Sequence, residues 1–154
     1  EVVEEGGNDQ RVGEVDQKPA GDGDDEQALR RGPVPALEGI DVGDRSTVQS
    51  CTTNINAQGI RMAAYCTITG NTSIGNDRGI YTESGGSRID GNTCSRNTST
   101  GFLINGVRNM VVRNSAHGNG ADYNIVAGSA AGPIVNVVAG GTITSTNPWA
   151  NFIH

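Results

Sequence analysis

The chain has 154 residues and a mass of 15.9 kDa, room for one domain and one modest core. Its 12 Ile and 14 Val against 3 Leu point to strands, which exclude an all-helical domain, and six aromatic residues are too few for a sandwich core of large rings. The net charge of −6 averages two unlike parts: residues 1–44 hold 13 acids and four bases (−9), residues 45–154 four acids and seven bases (+3).

Residues 1–32 contain acids, Gly and Gln with almost no large apolar side chain. Such a segment cannot bury enough surface to offset its ordering entropy, so an acidic extension is expected, disordered alone or ordered on a neighbouring copy. Its best local element is a short helix over residues 24–32, with acids leading, Arg30 and Arg31 following and Gly32 ending it. Asp22, Asp24 and Asp25 cluster there, but they lack the spacing and terminal Glu of a calcium loop, and no metal site is assigned. A chain starting at Glu1 without a leader reads as a mature secreted protein, extracellular or on the cell surface; a piece of a longer chain would look the same. No apolar run approaches the roughly 20 residues of a membrane span.

From residue 33 to 132 the sequence repeats. Gly39-Ile40, Gly59-Ile60, Gly79-Ile80 and Gly101-Phe102 recur at spacings of 20 to 22, nearly in step with Val48, Ile68, Ile89 and Val111. Two polar columns follow: Cys51, Asn71, Asn92, Asn114, and Asn56, Asn76, Asn97, Asn119. A period near 20 is too short for paired-helix repeats, and the shortage of Leu excludes leucine-rich repeats. What remains is a coil of short parallel strands stacked at about 4.8 Å, in which equivalent residues of successive turns touch. Asn then occupies bends, where it tolerates left-handed φ and its amide bonds to the Asn above and below. Thr53, Ser73, Cys94 and Ala116 form a small inward column, and Ile60/Met62, Ile80/Thr82 and Phe102/Ile104 an inward strand face.

The motifs GIRMAAYCTITGNTSIGN, GIYTESGGSRIDGNTCSRN and GFLINGVRNMVVRNSAHGN resemble the right-handed parallel β-helix repeat family, the pectin-lyase-like or NosD-like superfamily. The ending DYNIVAGSAAGPIVNVVAGG…NPWANFIH is similar to the close of secreted bacterial members. The resemblance covers roughly residues 37–154 and implies an all-β right-handed solenoid of about four to five coils. Among family members that cleave polysaccharides, it would imply clustered carboxylates on one outward strand face.

Register tests for such a site. With Ile60, Ile80 and Phe102 inward, the outward columns are Arg61, Tyr81, Leu103, then Ala63, Glu83, Asn105, then Thr69, Asp90, Val112. Glu83 and Asp90 are the nearest carboxylates but lie on different strands, so both are read as solvated surface acids and no catalytic residue is assigned. His117 falls in an outward column without an acid or Ser nucleophile beside it, and His154, the last residue, carries no argument. Arg61 and Tyr81 form a candidate glycan patch, an aromatic face beside a polar group. Cys51, Cys66 and Cys94 have no CxxC spacing and are read as free thiols. Neither a cofactor nor a nucleic-acid surface is indicated: the arginines are dispersed, and Gly85-Gly86 and Gly140-Gly141 are turns.

Four and a half coils make a stack on the order of 20 Å tall, with unpaired backbone at each end. Residues 133–154 are expected to cap one end with Ile134, Val135, Val137, Trp149 and Phe152; the other has only residues 33–37 and the acidic extension. The expected function is a non-catalytic extracellular structural protein whose copies stack head to tail into a filament or surface layer, Val2-Val3 adding a strand to the next copy. The alternatives are a polysaccharide lyase or glycosidase, or a glycan-binding adhesin of the same fold.

Overall fold

The computed structural model describes residues 36–138, 140 and 142–154. The acidic extension expected over residues 1–32, its short helix, its aspartates and Val2-Val3 lie outside the described residues. Strands follow in sets of three. The first coil is β1 (Ala36–Val42), β2 (Thr47–Gln49) and β3 (Thr52–Asn54); the second is β4 (Asn56–Met62), β5 (Thr67–Thr69) and β6 (Thr72–Ile74). The third is β7 (Arg78–Thr82), β8 (Arg88–Asp90) and β9 (Thr93–Ser95); the fourth is β10 (Thr100–Ile104), β11 (Met110–Val112) and β12 (Ser115–His117). β13 (Ala121–Ile125), β14 (Ala130–Ala131) and β15 (Ile134–Asn136) make the fifth, and β16 (Asn151–Ile153) follows.

Strands pair in parallel with their counterparts one coil away, except that β16 stands between β12 and β15, giving three sheets: β1-β4-β7-β10-β13, β2-β5-β8-β11-β14 and β3-β6-β9-β12-β16-β15. The chain is thus a right-handed parallel β-helix of five coils, as its repeat implies. The core is a set of columns. Ile40, Ile60, Ile80, Phe102 and Tyr123 are in register through the first sheet, and the Phe102 and Tyr123 rings stack at 5.0 Å between centroids. Val48, Ile68, Ile89 and Val111 form the second column, and Thr53, Ser73, Cys94 and Ala116 the third. Each fully buried Ile contributes about 1.5–3 kcal/mol. Gly79 marks one of the tight points of the coil: a β-carbon there would lie 2.5 Å from the Gly101 carbonyl oxygen and 2.8 Å from Cys94 Sγ.

The corners share one device. Each of the first four coils turns at three residues in the left-handed region, and these also stack in columns: Arg45, Tyr65, Gly86, Arg108; Ser50, Gly70, Gly91, Arg113; and Ile55, Gly75, Arg96, Gly118. The residue after each supplies a polar side chain along the stack. The asparagines are therefore not the left-handed residues themselves, contrary to the sequence expectation; they stand one position later. Asn71 N–H and Nδ2 both donate to Asn92 Oδ1 at 3.0 Å, Asn92 donates the same pair to Asn114 Oδ1, and Asn114 to Asn151 Oδ1. A second stack runs Asn56, Asn76, Asn97, Asn119. The third corner does the same with mixed residues: Cys66 N–H donates to Ser87 Oγ, Ser87 N–H to Asn109 Oδ1, and Asn109 N–H to Ser129 Oγ. These bonds occupy N–H groups that the turns remove from the sheet ladders.

Within residues 133–154, two of the apolar residues expected to cap the end stay largely at the surface. Ile134 is 47% exposed and Trp149 48% exposed. The segment adds β15 and β16 to the third sheet, and β16 enters between β12 and β15 rather than beyond them.

Candidate functional site

Side chains that face outward from the three sheets form three groups. On the first sheet, register brings Asp41, Arg61 and Tyr81 into one column, and Glu83 lies two residues beyond Tyr81. They line a recess of about 260 Å³. Arg61 Nη1 is 3.1 Å from Asp41 Oδ2. Tyr81 is only 7% exposed, and the Arg78 guanidinium sits over its ring at 5.1 Å. The open aromatic platform expected at Tyr81 is therefore covered, because a cation–π contact already occupies one ring face. Burial, reinforced by Glu83, raises the Tyr81 pKa.

The second group surrounds Asp90. Sequence parity places this residue outward, yet it is 3% exposed and not a solvated acid. Arg88, two residues earlier on β8, approaches through Nε at 2.9 Å and Nη2 at 2.6 Å; Arg113, at the next coil's left-handed corner, donates Nε–H at 2.7 Å. Hydrogen bonds from Arg113 lower the Asp90 pKa; burial works in the opposite direction, and Arg88 adds to the lowering. A carboxylate held ionised by two guanidiniums is a poor proton donor. Arg113 also lies over the Trp149 indole at 5.5 Å, beside a cleft of about 340 Å³ lined by Met110, Val112, Pro133 and Trp149.

The third group arises from the return of β16. Ser115 pairs with Phe152 and Ala116 with Ile153, which sets His117 beside His154. The imidazoles stack at 5.3 Å and 12°, His154 Nε2 is 2.6 Å from Ser115 Oγ, and His117 Nδ1 contacts the His154 carbonyl oxygen. His154, which the repeat left without a role, thus has a defined place. The signal for it was present: Asn151-Phe152-Ile153-His154 echoes Asn114-Ser115-Ala116-His117.

The thiols are free and lie inside or at corners: Cys66 and Cys94 are buried, Cys51 is half-buried, and burial pushes the Cys94 thiol well above its ordinary pKa.

A family model described as periplasmic copper-binding protein (NosD) matches residues 38–143. The chain belongs to this family. No curated protein and no solved structure matches it. The family's description places it in the periplasm, and among the described residues no helix is long and apolar enough to cross a membrane.

The NosD description implies copper, whose usual protein donors are imidazole, thiolate and thioether. Among the described residues the donors that could hold it are not gathered at one place. Cys94 lies in the core with a raised pKa, the Met62 side chain is buried, and Met110 Sδ accepts from Arg88 Nη1. The two histidines are engaged by Ser115 and a carbonyl oxygen. Among the described residues no three His, Cys, Asp or Glu side chains converge on a metal-sized space.

Proposed function

We propose that this NosD-family chain is a non-catalytic β-helix scaffold that works outside the cytoplasm and assembles with copies of itself through the ends of its coils. The observation that carries this reading is the common end of the three sheets. They stop together at β13, β14 and β15, so among the described residues each outer strand has a ladder edge without a strand partner. Such edges template the addition of another strand, and a second copy offers strands of the same spacing and polarity. Support for a non-catalytic role comes from Asp90, committed to two arginines, and from Asp41, which lines the same recess as Glu83 but is paired with Arg61. Sedimentation velocity over a hundredfold range of concentration tests the reading. Species that grow with concentration are expected; a monomer throughout contradicts it.

A second reading, glycan binding without cleavage, draws support from the recess that joins Asp41, Arg61, Tyr81 and Glu83. It requires Arg78 to leave the Tyr81 ring. Glycan-array signal lost in Tyr81→Ala and increased in Arg78→Ala would favour it; no signal in the unaltered protein removes it.

A further inference from the structure

The third sheet contains a strand that does not belong to the repeat. β16 is separated from β15 by residues 137–150, yet it lies between β15 and β12. It is held on both edges: Phe152 N–H donates to the Asn114 carbonyl and His154 N–H to the Ala116 carbonyl, while Asn151 N–H reaches the Pro133 carbonyl and Val137 N–H returns to the Ile153 carbonyl. Asn151 is fully buried and extends the asparagine stack, with Oδ1 accepting from Asn114 and Nδ2 donating to the carbonyls of Val111 and Gly132. Tyr123 Oη shares its one proton between the Asn114 carbonyl at 2.9 Å and the Phe152 carbonyl at 3.1 Å. Every one of these partners lies within residues 111–137. The strand is thus a short key in a slot built by the preceding coils.

We propose that this slot accepts β16 from a second copy of the chain, so that copies are joined by strand exchange. The inference rests on the assembling scaffold proposed above and adds a second joint beside its open sheet ends. Each contact of β16 is made to a site that a second copy presents identically, so exchange loses no contact; only the connection changes. That connection is 14 residues (137–150), close to the dozen that a crossover between parallel neighbours needs. Released, it spans up to about 48 Å, well beyond five coils at about 4.8 Å each. Val138 and Ile143 on it are exposed, while its end is held by the buried Ala150 and by Trp149 against Arg113. Exchange through one segment gives a closed dimer when reciprocal and an open chain when it is passed on.

The test uses the full chain with paired cysteines. Ser115 and Phe152 are register partners on adjacent strands, a separation compatible with a disulfide. Ser115→Cys and Phe152→Cys are prepared as separate variants, mixed at high concentration, oxidised, and run without reducing agent beside the unaltered protein. Exchange predicts a disulfide-linked dimer in the mixture, several-fold above either variant alone and above the unaltered protein with its three native thiols. The double variant checks the slot itself and should close an internal disulfide in dilute solution. No excess dimer in the mixture, or no internal disulfide in the double variant, overturns the proposal. Concentration-dependent sedimentation without the mixed disulfide would leave assembly standing and sink exchange alone; absence of both would sink both.

Discussion

Replacing Asn92 by alanine tests whether the corner stacks hold the coils together. Asn92 is buried and makes four side-chain bonds: Oδ1 accepts from Asn71 N–H and Nδ2, and Nδ2 donates to the Ile68 carbonyl at 2.9 Å and to Asn114 Oδ1 at 3.1 Å. Truncation strands two buried donors of Asn71. An unsatisfied buried polar group costs about 1–3 kcal/mol, so Asn92→Ala should lose about 4 kcal/mol, a large share of the roughly 5–15 kcal/mol that holds a domain folded. Asn56→Ala is the comparison. Asn56 donates Nδ2 to Asn76 Oδ1 and to the Asn54 carbonyl, and Asn76 Oδ1 keeps Asn56 N–H when that side chain is removed. Among the described residues no buried donor is left without an acceptor, and the expected loss is about 1 kcal/mol. Urea unfolding of both variants, followed by far-ultraviolet circular dichroism, reads the difference as a shift in midpoint. Equal losses would refute the claim that the stacks stabilise through buried, fully bonded amides.

Other substitutions probe the same account at separate places. Ile55 is a β-branched residue at φ 57° and is 57% exposed, so Ile55→Gly should stabilise by about 1 kcal/mol, read as a rise in melting temperature. Gly79→Ala should destabilise by about 3 kcal/mol, a typical overpacking cost, because the added methyl meets a carbonyl oxygen and the Cys94 sulfur rather than open space. Asp90 has a lowered folded-state pKa, so its contribution is present above the ordinary value of 3.8 and is lost as pH falls through the folded value. Asp90→Asn should therefore lower stability at pH 7 by about 1–3 kcal/mol and flatten the acid limb of a stability–pH curve; an unchanged limb contradicts the role given to Arg88 and Arg113.

Much of the fold is legible because strand stacking turns a period in the chain into a contact in space. The Ile40–Tyr123 column and the two Asn columns follow from spacings of 20 to 22. The third corner is harder to see, since Ser87, Asn109 and Ser129 do one job with different residues: any short side chain with an acceptor suffices there. The left-handed corners are hidden for a related reason, as Arg45, Tyr65, Arg96, Arg108 and Arg113 stand where glycine would be expected. Asp90 is outward by parity, but its burial depends on Arg113 reaching back from the next coil, a contact that single-strand alternation does not encode. β16 is missed because its register partners Ser115 and Ala116 lie 37 residues away instead of 20 to 22.

Negative-stain imaging of the full chain at high concentration tests the central claim of a self-assembling scaffold most directly. Rod-like or ring-like assemblies with the width of one β-helix are expected, and they should shorten or vanish on dilution. A field of uniform single particles of about 16 kDa under the same conditions, with sedimentation agreeing, would contradict it.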